Sequence, residues 1–271
     1  CMLYGQSGTG KSTSLRNFQM EDVSVINVSG KPMPFRRKLP IVSTDNYKQI
    51  IGGLPTIKTP SIVIDDATYL MVNAFMRNAK VQGYQKYTDM AYDFNSLIDA
   101  AQKLPDDKIV YFIGHSNQSD DGREQFKTIG KMLDNYVTLE GKFTIVLKTV
   151  VKDGQYYFST QNNGMDTVKS PMGMFEEELI PNDLKAVDDV IREYYGIEKE
   201  GGENNELRHG VVHAQITDKP LLERFKKLNA LCYAQPIFLH YDMHVVADRV
   251  GEELANTSYN FKTLYDMGVR T

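Results

Sequence analysis

The chain has 271 residues, 41% hydrophobic and 24% charged, with a formal net charge of −4. That is ordinary globular composition rather than disorder, enough for one large domain or two small ones, and it does not announce a strongly basic nucleic-acid binder. No apolar run approaches the roughly 20 residues of a membrane-spanning helix, the two cysteines are too few for a disulfide framework, and no charged-then-apolar leader opens the sequence, so the expected setting is cytoplasmic with no membrane partner.

In chain order, residues 2–4 read as a first strand, short enough that one or two of its residues are expected upstream of Cys1. Residues 5–12, Gly-Gln-Ser-Gly-Thr-Gly-Lys-Ser, then fit G-x-x-x-x-G-K-[ST] between that strand and a helix expected over residues 12–19. Chemistry explains the pattern. Gly5, Gly8 and Gly10, with Gln6, Ser7 and Thr9, fold a backbone nest whose N–H groups meet phosphate oxygens. Lys11 reaches the β and γ phosphates, Ser12 places its hydroxyl on Mg²⁺, and Thr13 bonds a phosphate further back.

Further strands are expected at residues 23–28, 61–64, 109–114 and 143–151, with a helix at 89–103 whose Met90, Phe94, Leu97, Ile98 and Ala101 share a face. Residues 62–66, Ile-Val-Ile-Asp-Asp, form an apolar strand ending in two acids. Asp65 is the expected magnesium-side carboxylate, and Asp66 either orients the attacking water or caps the helix over 67–78. His115, at a strand end, either senses the γ-phosphate or is a loop histidine. Lys31, Arg36, Arg37 and Lys38, interrupted by prolines and Phe35, are either contacts for a phosphate backbone or a solvated loop.

Asp153-Gly154 predicts a hairpin between 143–151 and 156–160. Asn182 is the expected cap of a helix presenting Leu184, Val187, Ile191 and Tyr194, which Gly196 ends. The polar run that follows reads as a linker, giving an organisation of 1–200, a linker at 201–206, and 207–271.

Taken together, residues 2–197 resemble the RecA-like ATP-binding proteins of bacteriophages, grouped with the AAA-type ATPases and including single-strand-annealing recombination ATPases. The resemblance is carried by the two nucleotide motifs, by Val25-Ile-Asn-Val28 with Lys31-Pro-Met-Pro-Phe-Arg36, by Asp65-Asp-Ala-Thr-Tyr-Leu70 and by Thr128-Ile-Gly-Lys-Met-Leu133. It is also carried by Phe158-Ser-Thr-Gln161 leading through Gly164 and Asp166 to Lys169-Ser-Pro-Met-Gly-Met-Phe175. It implies an α/β P-loop NTPase with a RecA-like sheet, helices on both faces and an added C-terminal β-hairpin. ATP and Mg²⁺ are the implied cofactors, in the cytoplasm of a phage host. It also implies a homo-oligomer, with Lys169 resembling the basic residue that one subunit offers to the ATP of the next. Single-stranded DNA and phage recombination or replication proteins are the implied partners.

Residues 207–271 resemble instead part of the metal-dependent amidohydrolase superfamily, from its (β/α)8-barrel members. The matching text is Arg208-His-Gly-Val-Val-His-Ala-Gln215, Thr217-Asp218, a helix over 221–228, Gln235-Pro236 and Asp242-Met243 through Gly268-Val-Arg270. In that resemblance His213 matches a metal ligand, while the other ligand positions have no counterpart and His209, His240 and His244 do not replace them. The expectation is an incomplete barrel fragment with Leu221, Phe225 and Ile237 exposed.

The leading expectation is therefore a Mg-dependent ATPase with Lys11, Asp65 and Asp66 as its catalytic residues, coupled to a phage DNA transaction such as recombination or annealing. A nucleotide-binding switch that hydrolyses little alone is the second reading. A metal-dependent amidohydrolase is the third.

Overall fold

A computed structural model describes residues 1–129, 138–197, 210–213, 218–227, 231–234, 245–255, 258 and 261–268. The chain divides into two compact units, Cys1–Glu198 and Lys199–Thr271. Among the described residues no helix is long and apolar enough to cross a membrane.

The first unit is built on a nine-stranded sheet. Its strands are β1 (Met2–Gly5), β2 (Val23–Asn27), β3 (Ile41–Ser43), β4 (Ser61–Asp65), β5 (Ile109–Gln118), β6 (Glu124–Phe126), β7 (Val146–Lys152), β8 (Gln155–Ser159) and β9 (Leu179–Pro181). The order is β3-β2-β4-β5-β1-β7-β8-β9, with β6 paired to β5. The pairings from β3 to β7 are parallel, and β7-β8-β9 continue antiparallel.

Central strands without a polar face need cover on both sides. Ile62 and Ile64 of β4 point into one core layer, under α1 (Tyr47–Gly53), α2 (Thr68–Arg77) and α3 (Gln85–Gln102). Val63 points into the other, with Leu15 and Phe18 and with Leu184, Val187 and Ile191 of α4 (Leu184–Tyr195). The result is a mixed α/β domain with helices on both faces of the sheet.

The hairpin turn falls at Asp153 and Gly154, both left-handed at φ 52° and 72°, as a tight two-residue turn between twisted strands requires. Two local expectations are corrected. Residues 12–19 form a 3-10 segment, Ser12–Asn17, rather than an α-helix: the Ser14 hydroxyl turns back to the Lys11 carbonyl at 2.6 Å, and Phe18 leaves extended to bury its ring. The cap of α4 is Asp183, not Asn182. Asp183 accepts from the Lys185 and Ala186 amides, whereas Asn182 is buried, and Tyr194 lies half exposed off the apolar face. Asp183→Ala should therefore cost about 1 kcal/mol, read as a shift in urea midpoint at unchanged slope, while Asn182→Asp should not recover it.

Another device fixes α4. Asp188, fully buried, pairs with Arg192 at 2.8 Å and accepts the Ser61 hydroxyl at 2.5 Å and the Tyr111 hydroxyl at 2.8 Å. Arg192 donates onward to the Asp107 carbonyl at 3.0 Å and the Pro60 carbonyl at 2.9 Å. The network ties the helix to the starts of β4 and β5, and so sets the depth of the sheet against it.

In the second unit, β10 (Gly210–His213) and β11 (Leu231–Ala234) pair in parallel, and α5 (Lys219–Lys227) lies between them in sequence. Leu222, Phe225, Cys232 and Leu264 form a small core. Phe225 is thus buried rather than exposed, because α5 turns it with Leu222 onto the strand pair, while Leu221 is exposed as expected. Ile237, His209, His240 and His244 lie outside the described residues, and His213 is placed only as the backbone end of β10.

Candidate functional site

Parallel strand ends build the site, as is usual in sheets of this type. β1 and β5 set Gly5 beside His115, and β2 and β4 set Asn27 beside Asp65. Around them opens a cleft of about 430 Å³ lined by Ser7, Gly8, Gly10, Lys11, Ser12, Thr13, Asp65, Asp66 and His115, together with Asn27, residues 31–34 and Tyr156.

The loop over residues 5–12 is pressed against β7 and the β7–β8 hairpin beside β1. A side chain at Gly5 would lie 1.9 Å from the Thr149 hydroxyl, so only glycine fits. Gly10 sits at φ +90° against the Tyr156 ring and the Asn182 amide. The Thr9 hydroxyl donates to the Gln6 carbonyl at 2.7 Å and meets the Thr149 hydroxyl at 2.5 Å, while Gln6, Ser7 and Gly8 face solvent. The loop therefore has one clamped wall and one open wall.

Lys11 is buried, and its ammonium donates to the Gly5 carbonyl at 3.0 Å and the Gln6 carbonyl at 2.7 Å. Burial pulls its pKa below the ordinary lysine value against the opposing charges of Asp66 and Asp65. A phosphate entering the cleft would meet an ammonium already dehydrated and held only by neutral carbonyls.

Asp65 ends β4 nearly buried, accepting the Ser12 hydroxyl at 3.1 Å and the Asp66 amide at 3.0 Å. Burial first, then the Asp66 charge, pushes its carboxyl up to about 6. Ser12 and Asp65 fit magnesium, which takes hard oxygens and is commonly held by one or two protein groups with phosphates and waters completing the shell. Among the described residues no cluster of three or more His, Cys, Asp or Glu offers an all-protein cage.

The raised Asp65 pKa gives a signed expectation. Between the ordinary carboxyl value of 3.8 and about 6, the folded metal-free protein holds a proton that the unfolded chain has lost. Stability therefore falls as pH rises through that window, by about 3 kcal/mol in total, and stays lower at neutral pH. Asp65→Asn should make the protein more stable at pH 7 in chelator while abolishing any magnesium-dependent turnover. Melts in chelator at pH 4 and pH 7 check the sign, since a variant destabilised at pH 7 would give Asp65 a structural role.

Asp66 stands in the left-handed region at φ 57°, an uncommon conformation for a residue with a side chain and one that clusters at functional sites. His115 Nε2 lies 3.6 Å from its Oδ1 and Lys31 Nζ 3.7 Å from its Oδ2. Burial opposes the Asp66 charge, but His115, Ser29 and Lys31 outweigh it and hold the carboxyl below its ordinary value. His115 Nε2 has no hydrogen-bond partner among the described residues. The His115 ring meets Tyr69 edge-on and its amide donates to the Thr68 hydroxyl at 2.9 Å. Asp66 is not the cap of α2, which begins at Thr68 without a side-chain cap.

Lys169 is not brought into this cleft. Its backbone exchanges both hydrogen bonds with Val146, level with Met2 at the opposite end of β1. The basic run is divided: Lys31 faces Asp66, Arg37 donates to the Phe18 carbonyl at 3.1 Å, and Arg36 and Lys38 are exposed. Sequence reasoning missed Asn27, Ser29, Tyr156 and Asn182 as neighbours of the loop. Asn27 at the end of a strand is a visible turn signal; Tyr156 and Asn182 reach Gly10 only through the packing of the hairpin.

Residues 1–172 match the family described as AAA domain. A 74-residue stretch is 35% identical to YtcJ of Bacillus subtilis (strain 168), a protein named as an amidohydrolase; the match covers 27% of this chain and 14% of that protein. It gives partial support to the resemblance of residues 207–271.

Proposed function

This chain belongs to the AAA domain family, and on that premise we propose that its first unit binds ATP with magnesium and hydrolyses it to ADP and phosphate. One observation carries the reading: a phosphate-type loop, a serine–aspartate oxygen pair and a second aspartate converge at the edge of a parallel sheet.

In this reading residues 5–13 enclose the phosphates, with backbone N–H groups and Lys11 opposing their charge. Ser12 and Asp65 would hold magnesium, which when bound would supply further charge neutralisation. Asp66 orients a water and takes its proton as the water oxygen bonds to the γ-phosphorus. The bond from that phosphorus to the bridging oxygen breaks, and its electron pair leaves with ADP. In this reading His115, beside the terminal phosphate, reports whether that phosphate is present.

The setting we propose follows the resemblance to phage RecA-like ATPases: a homo-oligomer coupling this step to single-stranded DNA, with Lys169 reaching the ATP of a neighbouring copy. The YtcJ match supports no more than an amidohydrolase-like origin for the second unit, since the chain spans 14% of that protein. Phosphate release by the full chain, with magnesium and with or without single-stranded DNA, tests the reading. Turnover that DNA accelerates is expected. Tight ATP binding with no turnover in either condition would favour a nucleotide switch instead.

A further inference from the structure

We propose that Lys31 is a second cation for the terminal phosphate of ATP, supplied by the same chain: it holds Asp66 in the nucleotide-free state and passes to the phosphate when ATP enters. The inference rests on the proposed ATP site and extends it to a residue that the phosphate loop does not contain.

The cleft has two walls, and each carries a lysine. Lys11 rises from the loop after β1, while Lys31 comes from the turn after β2, across the opening. The two ammonium groups are close enough that the charge on Lys31 opposes that on Lys11. Asp66 and Asp65 offset that repulsion without nucleotide, and a phosphate entering the cleft, with more negative charge, would offset it further.

Lys31 is also not a free surface residue by placement. Asn27, buried at the end of β2, donates to the Lys31 carbonyl at 2.6 Å, and its side-chain oxygen accepts from the Gly30 amide at 3.0 Å and the Ser29 hydroxyl at 3.2 Å. Since Asn27 pairs with Asp65 in the sheet, this turn fixes Lys31 relative to the aspartate pair. Its Nζ lies 5.1 Å from the centre of the Tyr69 ring and 3.7 Å from Asp66 Oδ2. The side chain remains 64% exposed, so it can swing away from Tyr69 and Asp66 without disturbing the buried core.

With ATP bound, the lysine would have two anions of unequal charge within reach. A single carboxylate at 3.7 Å is a loose ion pair. A terminal phosphate carries more negative charge and accepts several hydrogen bonds, so it displaces the carboxylate as partner. The exchange does two things together: it adds a positive group to the oxygens whose charge must be stabilised, and it frees an Asp66 oxygen to accept the proton of water. Without nucleotide, Lys31 Nζ lies 3.7 Å from one Asp66 oxygen and His115 Nε2 3.6 Å from the other.

The test compares the full-length chain with Lys31→Ala and Lys31→Arg, measuring binding of ADP and of a slowly hydrolysed ATP analogue, ATPγS, and turnover of ATP. Lys31→Ala should leave ADP affinity within about twofold, weaken ATPγS relative to ADP by about tenfold, and lower kcat about 100-fold. Lys31→Arg should recover part of both losses. Unchanged kcat and an unchanged ATPγS-to-ADP ratio in Lys31→Ala would overturn the assignment, as would a rise in turnover, which would make Lys31 a restraint on Asp66 and nothing more. If the unsubstituted chain binds neither nucleotide, the ATP site itself falls; if it binds both and the variant behaves identically, only Lys31 falls.

Discussion

Replacing Lys11 with alanine should abolish measurable ATP turnover and weaken ATP binding by at least about 100-fold. Lys11 is the buried cation of the loop wall, and its ammonium is already stripped of water and held by the Gly5 and Gln6 carbonyls at 3.0 and 2.7 Å. A phosphate that replaces those carbonyls gains a charge-assisted contact in a poorly hydrated cleft, where loss of one such donor costs about 10²–10³ in rate. The fold should survive, because removing Lys11 leaves only two backbone carbonyls beside open cleft. Equal ATP affinity and equal turnover in a variant with an unshifted melt would remove the loop from the chemistry altogether.

A second large effect is expected far from the nucleotide. Asp188→Ala should destabilise the first unit by about 3–5 kcal/mol, because it leaves the Arg192 guanidinium buried without its counter-charge. The Ser61 and Tyr111 hydroxyls would lose their acceptor in the same step. For a unit of this size that corresponds to a fall in melting temperature of about 6–20 °C. Replacing Asp188 and Arg192 together by Leu and Met should recover much of the loss, since a pair of apolar side chains carries no desolvation cost. Single and double variants melted side by side give the answer; a double variant as unstable as the single would mean that the network's hydrogen bonds, not the orphaned charge, dominate.

The parts of this protein that could be read from sequence are those whose chemistry is local. The loop over residues 5–12 specifies its own turn, Asp153-Gly154 specifies a hairpin at positive φ, and the 3.6-residue spacing of Phe94, Leu97 and Ile98 specifies a buried helix face. Competition between local signals explains the misassigned cap: Asn182 and Asp183 are both good caps, and the burial of Asn182 beside Gly10 decides for Asp183. Arg16, at the end of the 3-10 segment Ser12–Asn17, likewise donates to the Asn182 carbonyl at 2.6 Å, a partner far along the chain that no local signal announces.

Lys31 shows the limit most clearly. In sequence it opens a basic run with Arg36, Arg37 and Lys38, and charge counting treats the run as one patch. In the fold, Asn27 turns the chain so that Lys31 enters the cleft while Arg37 bonds backbone carbonyls. The Asp188–Arg192 pair was invisible for the same reason. Spacing of four on a helix says that the two can meet, but only the packing of α4 over Ser61 and Tyr111 makes the pair buried and fully bonded.

The central claim is that ATP and magnesium occupy the cleft at the ends of β1, β2, β4 and β5. Amide hydrogen exchange of the full chain, with and without ATP and magnesium, tests it most directly. The expected result is slowed exchange over residues 5–13, 27–34 and 65–66, absent in Lys11→Ala. Protection confined to other segments, or none at saturating ATP, would contradict it.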